Sequence, residues 1–410
     1  MENFLEKAKF ASRALAILSG SERNRILREM AEALRSNMMN IIEANAIDMK
    51  KAEEEDLSSS LKDRLMLDEK RLDAMAVAIE EIAALKDPIG RVIEGWVTEA
   101  GLKIEKVSIP IGVVGIIYES RPNVTSDTAA LCFKSSNGCV LKGGKEAEHS
   151  NKIIADVLQQ VLIRNNLPRE LIALLPDSSR EGVAKLIKMD KYVDLIVPRG
   201  GETLIRFVSQ NSSVPVVKHD KGQCHLYIDK DANIEDALKI AVNAKVQRPS
   251  ACNSIETLLV DSTIATEVLP LFKEVFDRAH TQLKGCEQTR EVIAIERASE
   301  EDFDTEYLAN ILNIRVVDGV DGAISHIVRY GSGHSEAIIT ENITAAERFM
   351  NAIDAAAVYV NASTRFTDGG AFGFGAEVGI STNKLHARGP MGVEGLTTYK
   401  YKVYGKGQIR

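Results

Sequence analysis

The apolar positions of roughly the first 90 residues recur at the three- and four-residue spacing of amphipathic helices. The clearest sets are Ile26, Leu27, Met30 and Leu34, followed by Leu72, Met75, Ile79 and Ile82. Asp68 stands just before the second set and is a suitable N-cap for it. The segment Asp87-Pro88-Ile89-Gly90 then predicts the end of this helical region.

Beyond residue 100 the pattern changes to strands that alternate with helices. Residues 102–109 alternate between apolar and polar side chains, which indicates an exposed strand or hairpin arm. Residues 111–118 form a continuous apolar run, typical of a strand buried on both faces of a parallel sheet. Further strand-like runs at 140–141, 171–175 and 195–197 each precede a helical segment. This alternation predicts an α/β fold with a parallel sheet.

A second α/β series follows residue 227, and we predict a domain boundary near residues 224–229. The predicted helices cover 233–244 and 265–279, and the predicted strands cover 256–260, 291–295, 314–317, 337–339 and 358–360. Residues 397–405 alternate polar and aromatic side chains, which suits an exposed strand that pairs with another edge.

Composition narrows the class of protein. The chain has 410 residues, enough for two or three domains, and 45% hydrophobic residues support a large core. A net charge of -8 argues against nucleic acid or an anionic membrane as the main partner. With no apolar run long enough to span a membrane, no secretory signal and five widely spaced cysteines, we expect a cytoplasmic protein with reduced thiols.

Several well-known motifs are absent from the sequence: G-x-G-x-x-G, the P-loop, H-E-x-x-H, C-x-x-C and G-x-S-x-G. We therefore expect no metal site and no hydrolase nucleophile of the G-x-S-x-G type. A cysteine does stand in a suggestive place: Cys252 follows a Pro-Ser turn and precedes a predicted strand, with Asn253 and Ser254 as further donors. It is either a nucleophile that faces a cleft or a buried structural thiol, and no histidine lies within 20 residues of it.

Four loops follow predicted strands, where ligands bind in α/β sheets. Asn123 could donate to an oxyanion or simply occupy a turn after proline. Lys142, ahead of Gly143 and Gly144, could bind a ribose or its phosphate or be solvated. A third loop contains Arg199, Gly200 and Gly201 and is either a phosphate loop or a tight turn. The fourth contains Thr364 and Arg365, and the arginine could bind a carboxylate or be a surface charge.

Taken in order, five segments resemble the γ-glutamyl phosphate reductases of the aldehyde dehydrogenase superfamily: IPIGVVGIIYESRPNVT, LKGGKEA, VPRGG, QRPSACNSIETLLV and GFGAEVGISTNKLHARGPMGVEGLTTYKY. The resemblance runs from about residue 100 to the C-terminus. It implies an aldehyde dehydrogenase-like α/β fold, with two parallel-sheet α/β domains plus a small β oligomerisation element. Residues 1–225 would bind the dinucleotide and include a strand arm at about 95–110. Residues 226–362 would carry Cys252, and residues 363–410 would form a return segment and the oligomerisation strand.

The resemblance also implies roles for individual residues. Cys252 corresponds to the nucleophile, and Asn123 to the side-chain half of an oxyanion hole whose other half is the Cys252 N–H. Lys142 corresponds to the lysine on the adenosine ribose, which would favour NADPH. Glu306 corresponds to the glutamate on the nicotinamide ribose, although Ala309 and Asn310 replace the usual glycine and proline after it. Thr364 and Arg365 are our candidates for the substrate α-carboxylate.

The implied activity is the NADPH-dependent reduction of L-glutamyl 5-phosphate through a Cys252 thioester, in proline biosynthesis. Residues 217–225 lack the glutamate base of hydrolytic aldehyde dehydrogenases, which fits an acyl phosphate reductase. The alternatives are a hydrolytic NAD-dependent aldehyde dehydrogenase and a catalytically retired nucleotide-binding scaffold. A homo-oligomer is expected, with a possible contact to glutamate 5-kinase.

Overall fold

The computed structural model of the protein describes residues 1–217 and 221–410, which form two compact units. The first unit consists of Met1–Lys218, Gly373–Gly379 and Met391–Arg410, and the second of His219–Phe372 and Ile380–Pro390. Among the described residues, no helix is both long enough and apolar enough to cross a membrane.

The secondary structure of both units follows the chain in this order. The α-helices are α1 (Glu2–Ser12), α2 (Gly20–Ser36), α3 (Met38–Glu54), α4 (Ser59–Leu65), α5 (Glu69–Ala84), α6 (Asn123–Lys134), α7 (Glu148–Arg164), α8 (Arg180–Leu186), α9 (Glu202–Asn211), α10 (Ile234–Val246), α11 (Ala265–Arg278), α12 (Glu287–Val292), α13 (Glu300–Phe303), α14 (Gly319–Tyr330) and α15 (Ile343–Ala352). The strands are β1 (Val92–Val97), β2 (Lys103–Pro110), β3 (Val113–Tyr118), β4 (Gly138–Lys142), β5 (Ile172–Leu174), β6 (Leu195–Arg199), β7 (Cys224–Ile228), β8 (Ile255–Asp261), β9 (Gln282–Gly285), β10 (Glu296–Arg297), β11 (Ile311–Val317), β12 (Ser335–Ile339), β13 (Ala357–Val360), β14 (Ile380–Ser381), β15 (Gly389–Pro390) and β16 (Thr397–Tyr404). The 3₁₀ turns are Arg13–Ile17, Lys145–Ala147, Arg169–Leu171 and Thr364–Phe366.

The N-terminal helices of the first unit confirm the predicted periodicity. Ser19 caps α2 through a capping box with Glu22, and the Asp68 carboxylate caps α5 by accepting from the Arg71 N–H. The predicted apolar sets, from Ile26 on α2 and from Leu72 on α5, are buried. These two helices pack on each other.

A four-stranded parallel sheet in the order β5-β4-β3-β6 forms the centre of the first unit. All six residues of β3 are buried, as the continuous apolar run predicted. Lys142 on β4 pairs with Ile117, and Arg199 on β6 pairs with Tyr118. Because the strands are parallel, the loops after β3, β4 and β6 leave from the same edge of the sheet.

A separate antiparallel sheet joins the predicted arm to the C-terminal strand. The arm is a hairpin of β1 and β2, and β16 pairs with β2 along its whole length, from Thr397 opposite Pro110 to Tyr404 opposite Lys103. The strand order β1-β2-β16 leaves β1 and β16 as the two edges. The prediction that residues 397–405 form a strand that pairs with another strand edge is therefore confirmed.

The second unit is built on a parallel sheet in the order β10-β9-β11-β8-β7-β12-β13. Strands β7, β8 and β12 are buried throughout. The prediction of a strand at 291–295 was wrong, because these residues include the end of α12. Short apolar runs fit either structure, and here Thr289 fixes the helix by donating from Oγ1 to the Ile314 carbonyl, 3.2 Å away. Strand β9 was missed because Leu283 is its one large apolar residue.

A buried ion pair links α10 to β8 on either side of the segment that contains Cys252. The Nζ of Lys245 lies 2.7 Å from Oε2 of Glu256, and both side chains are 0% exposed. The other carboxylate oxygen of Glu256 has no hydrogen-bond partner among the described residues. Burial raises the pKa of Glu256 to about 7, and the charge of Lys245 opposes this shift.

We predict that Lys245→Met lowers the free energy of unfolding by about 3–5 kcal/mol at neutral pH, because it leaves the Glu256 carboxyl buried without its partner. Urea unfolding followed by circular dichroism measures the loss. Without Lys245 the pKa of Glu256 rises above its wild-type value of about 7, so the deficit relative to the wild-type protein should grow as pH rises above about 7.

The double variant Lys245→Met, Glu256→Leu is the matched control, since it removes both charges and keeps apolar volume. It should recover most of the stability. A double variant as unstable as the single one would contradict the argument.

Candidate active site

The segment between α10 and β8, which contains Cys252, forms two successive turns stabilised by backbone hydrogen bonds. The Ala251 N–H donates to the Arg248 carbonyl at 3.1 Å, and the Ser254 N–H donates to the Ala251 carbonyl at 2.9 Å. The Ser254 hydroxyl, fully buried, lies within hydrogen-bond distance of the Ala244 and Lys245 carbonyls at the end of α10. Cys252 itself is partly exposed, unlike the buried cysteines Cys132, Cys139 and Cys224.

Neighbouring side chains donate hydrogen bonds to two successive backbone carbonyls, those of Cys252 and Asn253. The buried thiol of Cys224 donates to the Cys252 carbonyl at 3.3 Å, and the Thr364 hydroxyl donates to the Asn253 carbonyl at 2.7 Å. The Asn253 side-chain amide donates to the Thr367 carbonyl at 2.9 Å. The side chains of Asn253 and Ser254 therefore bind backbone carbonyls, and the Ser254 N–H donates to the Ala251 carbonyl. The amide donors suggested at these two positions stay a prediction.

Gly222 allows the Cys252 backbone and the Glu306 carboxylate to approach the same point. A Cβ at Gly222 would lie 2.1 Å from the Cys252 carbonyl oxygen and 2.6 Å from Oε1 of Glu306. Glu306, predicted to bind the cofactor, thus lies beside the nucleophile loop. Residues 218–220, part of the stretch that lacks the hydrolytic glutamate, lie outside the described residues.

The two substrate-binding candidates contact the same loop. Arg365 donates from Nε to Oε1 of Gln247 at 2.7 Å and also donates to the side-chain oxygen of Asn253. It therefore contacts the chain on both sides of Cys252. Burial lowers the pKa of Arg365, and the charge of Arg248 lowers it further. Thr364 is fully buried.

The candidate cofactor residues of the first unit cluster at the carboxyl edge of its sheet. Lys142 is 6% exposed, and its Nζ donates to the Ser178 carbonyl at 2.7 Å. Burial lowers the pKa of Lys142. A Cβ at Gly143 or Gly144 would have to displace a neighbouring side chain, because it would lie 2.2 Å from Nδ2 of Asn151 or 2.1 Å from Oε1 of Glu146, respectively.

Two carboxylates connect the three loops at this edge. Glu146, after β4, accepts from the Ser120 N–H at 2.6 Å and from the Ser120 hydroxyl at 2.8 Å. Glu119, after β3, accepts from the Gly201 N–H at 3.0 Å, and a Cβ at Gly200 would lie 2.3 Å from its Oε2. These contacts join the loops after β3, β4 and β6 into one cluster.

This cluster fits a phosphate-bearing nucleotide. The Glu119 carboxylate already occupies the N-terminus of α9, which shows that this helix end accepts an anionic oxygen. Gly201 has open space where a side chain would be. The Lys142 ammonium has three N–H donors, of which one is used in the contact with Ser178.

Asn123 is the first residue of α6 and is partly buried. Its Nδ2 donates to Oδ2 of Asp127, one helical turn later, at 2.9 Å. Burial raises the pKa of Asp127 to about 6, and the hydrogen bond from Asn123 opposes this shift. The Asn123 amide has a second N–H that this contact does not use.

Comparison with known proteins gives the family. The model of the aldehyde dehydrogenase family matches residues 1–292 of the chain. The chain belongs to the aldehyde dehydrogenase family. It is 76% identical to the γ-glutamyl phosphate reductase of Sulfurovum sp. (strain NBC37-1), with 100% of both chains covered. It is also 72% identical to the protein of the same name from Sulfurimonas denitrificans, again over 100% of both chains.

The solved structure of γ-glutamyl phosphate reductase from Thermotoga maritima is similar over 100% of this chain and 99% of that one, with a TM-score of 0.98 and 46% identity. The predicted resemblance to this group of aldehyde dehydrogenases is therefore confirmed, and so is the predicted fold with its two parallel-sheet α/β domains.

Sequence analysis did not assign a role to several residues that contact the candidate residues within each of the two units. They are Glu119, Asp127, Glu146, Gly222 and Gln247. Only Asp127 carried a local signal, because it lies four residues after Asn123 on one helix. The others act on parts of the chain that are distant in sequence.

We predict that Gly222→Ala lowers kcat by roughly 10- to 100-fold, because the new methyl group must displace the Cys252 peptide or Glu306. Steady-state kinetics measure kcat, and a thermal melt shows whether the variant has also lost stability. Gly322→Ala is the matched control in the second unit, since its Cβ would meet its nearest neighbour at an ordinary 3.4 Å. An unchanged kcat in the Gly222 variant would show that the site tolerates the shift.

Proposed function

We propose that this aldehyde dehydrogenase reduces L-glutamyl 5-phosphate to L-glutamate 5-semialdehyde and phosphate, a step of proline biosynthesis. The names of its full-length relatives suggest the substrate. The observation that carries the chemistry is the partly exposed Cys252 on a loop whose backbone is held by Cys224, Thr364 and Ser254.

In this proposal the Cys252 thiolate attacks the acyl carbon of the substrate. A carbon–sulfur bond forms, the bond from the acyl carbon to the phosphate oxygen breaks, and phosphate leaves with the electron pair. A reduced nicotinamide dinucleotide, when bound, supplies the hydride that reduces the resulting thioester. The thiohemiacetal on Cys252 then releases the semialdehyde and regenerates the thiolate.

Two donors are proposed for the oxyanion that forms during this attack, the side-chain N–H of Asn123 and the backbone N–H of Cys252. The hydrogen bond from Asn123 to Asp127 supports the first assignment, because a carboxylate acceptor selects the amide nitrogen and so fixes the orientation of the amide. Removing one such donor typically costs about 10²–10³ in rate.

The proposed cofactor is NADPH. Lys142, Gly143 and Gly144 would bind its adenosine ribose and phosphates. The loop of Arg199, Gly200 and Gly201 would receive the pyrophosphate at the N-terminus of α9, where the phosphate would take the place of the Glu119 carboxylate. Glu306 would hold the nicotinamide ribose, and its approach to the Cys252 backbone supports that role.

Arg365 is proposed to bind the α-carboxylate of the substrate. Thr364 remains a candidate for the same end of the molecule. The Thr364 hydroxyl is fully buried and donates its proton to the Asn253 carbonyl, so Arg365 is the stronger of the two candidates for the α-carboxylate.

A homo-oligomer is proposed to form through the sheet of β1, β2 and β16. Its two edge strands expose large apolar side chains: Val92, Ile93 and Val97 on β1, and Tyr399, Tyr401 and Val403 on β16. Exposed edges of this kind favour pairing with another chain. A contact with glutamate 5-kinase, which makes the labile acyl phosphate, is a further proposal.

The reverse reaction tests the function. With pyrroline-5-carboxylate as the source of the semialdehyde, reduction of NADP should require inorganic phosphate, because only phosphate releases the acyl group from Cys252. Cys252→Ser should lose more than about 10³-fold in rate while still binding NADPH. Cys286→Ser, at another partly exposed cysteine, is the matched control and should remain active. Turnover without phosphate would identify a hydrolytic enzyme instead.

The cofactor assignment predicts that Lys142→Ala raises the Kd for NADPH by about 10- to 100-fold, since it removes a charged hydrogen bond to the 2′-phosphate. The Kd for NADH should change much less. Fluorescence titration of both cofactors measures the difference, and Lys185→Ala, an exposed lysine on α8, is the control. Equal losses for both cofactors would remove Lys142 from 2′-phosphate recognition.

A further inference from the structure

Two arginines of the second unit belong to or contact the Cys252 loop, and among the described residues only the side chain of Arg365 has hydrogen-bond partners. Arg365 binds the side chains of Gln247 and Asn253. Arg248 begins the turn that leads to Cys252, since its carbonyl accepts from the Ala251 N–H at 3.1 Å. The Arg248 side chain is exposed and makes no hydrogen bond or ion pair with the described residues.

Both guanidinium groups lack a carboxylate partner in the part of the chain that the structure describes. This is notable because acidic residues outnumber Lys and Arg in the chain by 59 to 51. Burial lowers the pKa of Arg365 the most, the charge of Arg248 lowers it further, and Asp368 opposes both to a smaller extent. Two like charges, one on the turn that leads to Cys252 and one in contact with residues on both sides of it, favour an anionic ligand there.

The proposed substrate carries two anionic groups, a carboxylate at one end and a phosphate on the acyl carbon that Cys252 attacks. Arg365 is already fixed by two hydrogen bonds, which suits the orientation of the carboxylate end. Arg248 lies on the turn of Cys252 itself, with five N–H donors available. A guanidinium fork matches the geometry of phosphate oxygens.

We propose that Arg248 binds the phosphate of the acyl phosphate and stabilises it as it leaves. This inference rests on the proposed function and adds the residue that makes the enzyme specific for a phosphate leaving group. As Cys252 forms its bond to the acyl carbon, the electron pair of the breaking carbon–oxygen bond moves onto the phosphate. The Arg248 guanidinium neutralises the negative charge that develops there. In the reverse direction it would position inorganic phosphate for attack on the thioester.

The test is the reverse reaction with inorganic phosphate as the varied probe. Arg248→Ala should raise the KM for phosphate by roughly 10- to 100-fold, because a charged hydrogen bond is lost. The KM for pyrroline-5-carboxylate should stay within about twofold, since Arg365 is untouched. Arg248→Lys keeps the charge without the fork and should give an intermediate KM for phosphate. Arg297→Ala, at an exposed arginine on β10, is the matched charge control.

An unchanged KM for phosphate in Arg248→Ala, or an equal rise of both KM values, would overturn the proposal. Circular dichroism checks the fold of each variant. If Arg248→Ala does not fold, Arg248→Lys decides, because an unchanged KM for phosphate there would also overturn it. A wild-type enzyme that needs no phosphate would refute the proposed function itself, whereas a phosphate-dependent enzyme indifferent to Arg248 would refute only this inference.

Discussion

The buried ion pair between Lys245 and Glu256 is the interaction on which the geometry around Cys252 depends. The two residues lie at the end of α10 and within β8, so their contact brings the two ends of the nucleophile loop together. Ser254 adds its hydroxyl to the same junction. Both ends of the loop are held by these contacts, and Cys252 lies within it as a partly exposed residue. A buried ion pair contributes little net stability, so its value here lies in fixing geometry.

Several polar side chains around this loop donate hydrogen bonds to backbone carbonyls and are not free to bind a ligand through those donors. Thr364 and Asn253 look like ligand-binding residues in the sequence, but the hydrogen-bond donors of both are taken up by carbonyls. Arg248 is the charged residue of this loop whose side chain is exposed and makes no hydrogen bond or ion pair with the described residues, so it is available to bind an anion. A reaction that separates a phosphate from an acyl group needs such a cation near the carbon that is attacked.

In the first unit, acidic residues have a role that the motifs did not suggest. Glu119 and Glu146 join the loops after three neighbouring strands, where anionic ligands usually bind. The contact of Glu119 with the N-terminus of α9 is favourable for the same reason that a phosphate would be favourable there. The carboxylates of Glu146 and Glu119 pack close against Gly144 and Gly200, respectively, so a Cβ at either glycine would have to displace the carboxylate.

The sequence by itself determined the element types, the parallel α/β class, the family and Cys252 as the leading nucleophile candidate. These depend on local periodicity and on motifs that persist over short stretches. It misjudged residues 291–295 because a short apolar run fits a helix and a strand equally well. Only the tertiary structure decided which donors remain available, that Gly222 admits both Cys252 and Glu306, and that Arg248 lacks a carboxylate partner among the described residues. The reason is physical, since each of these facts depends on contacts between residues far apart along the chain, which no local pattern encodes.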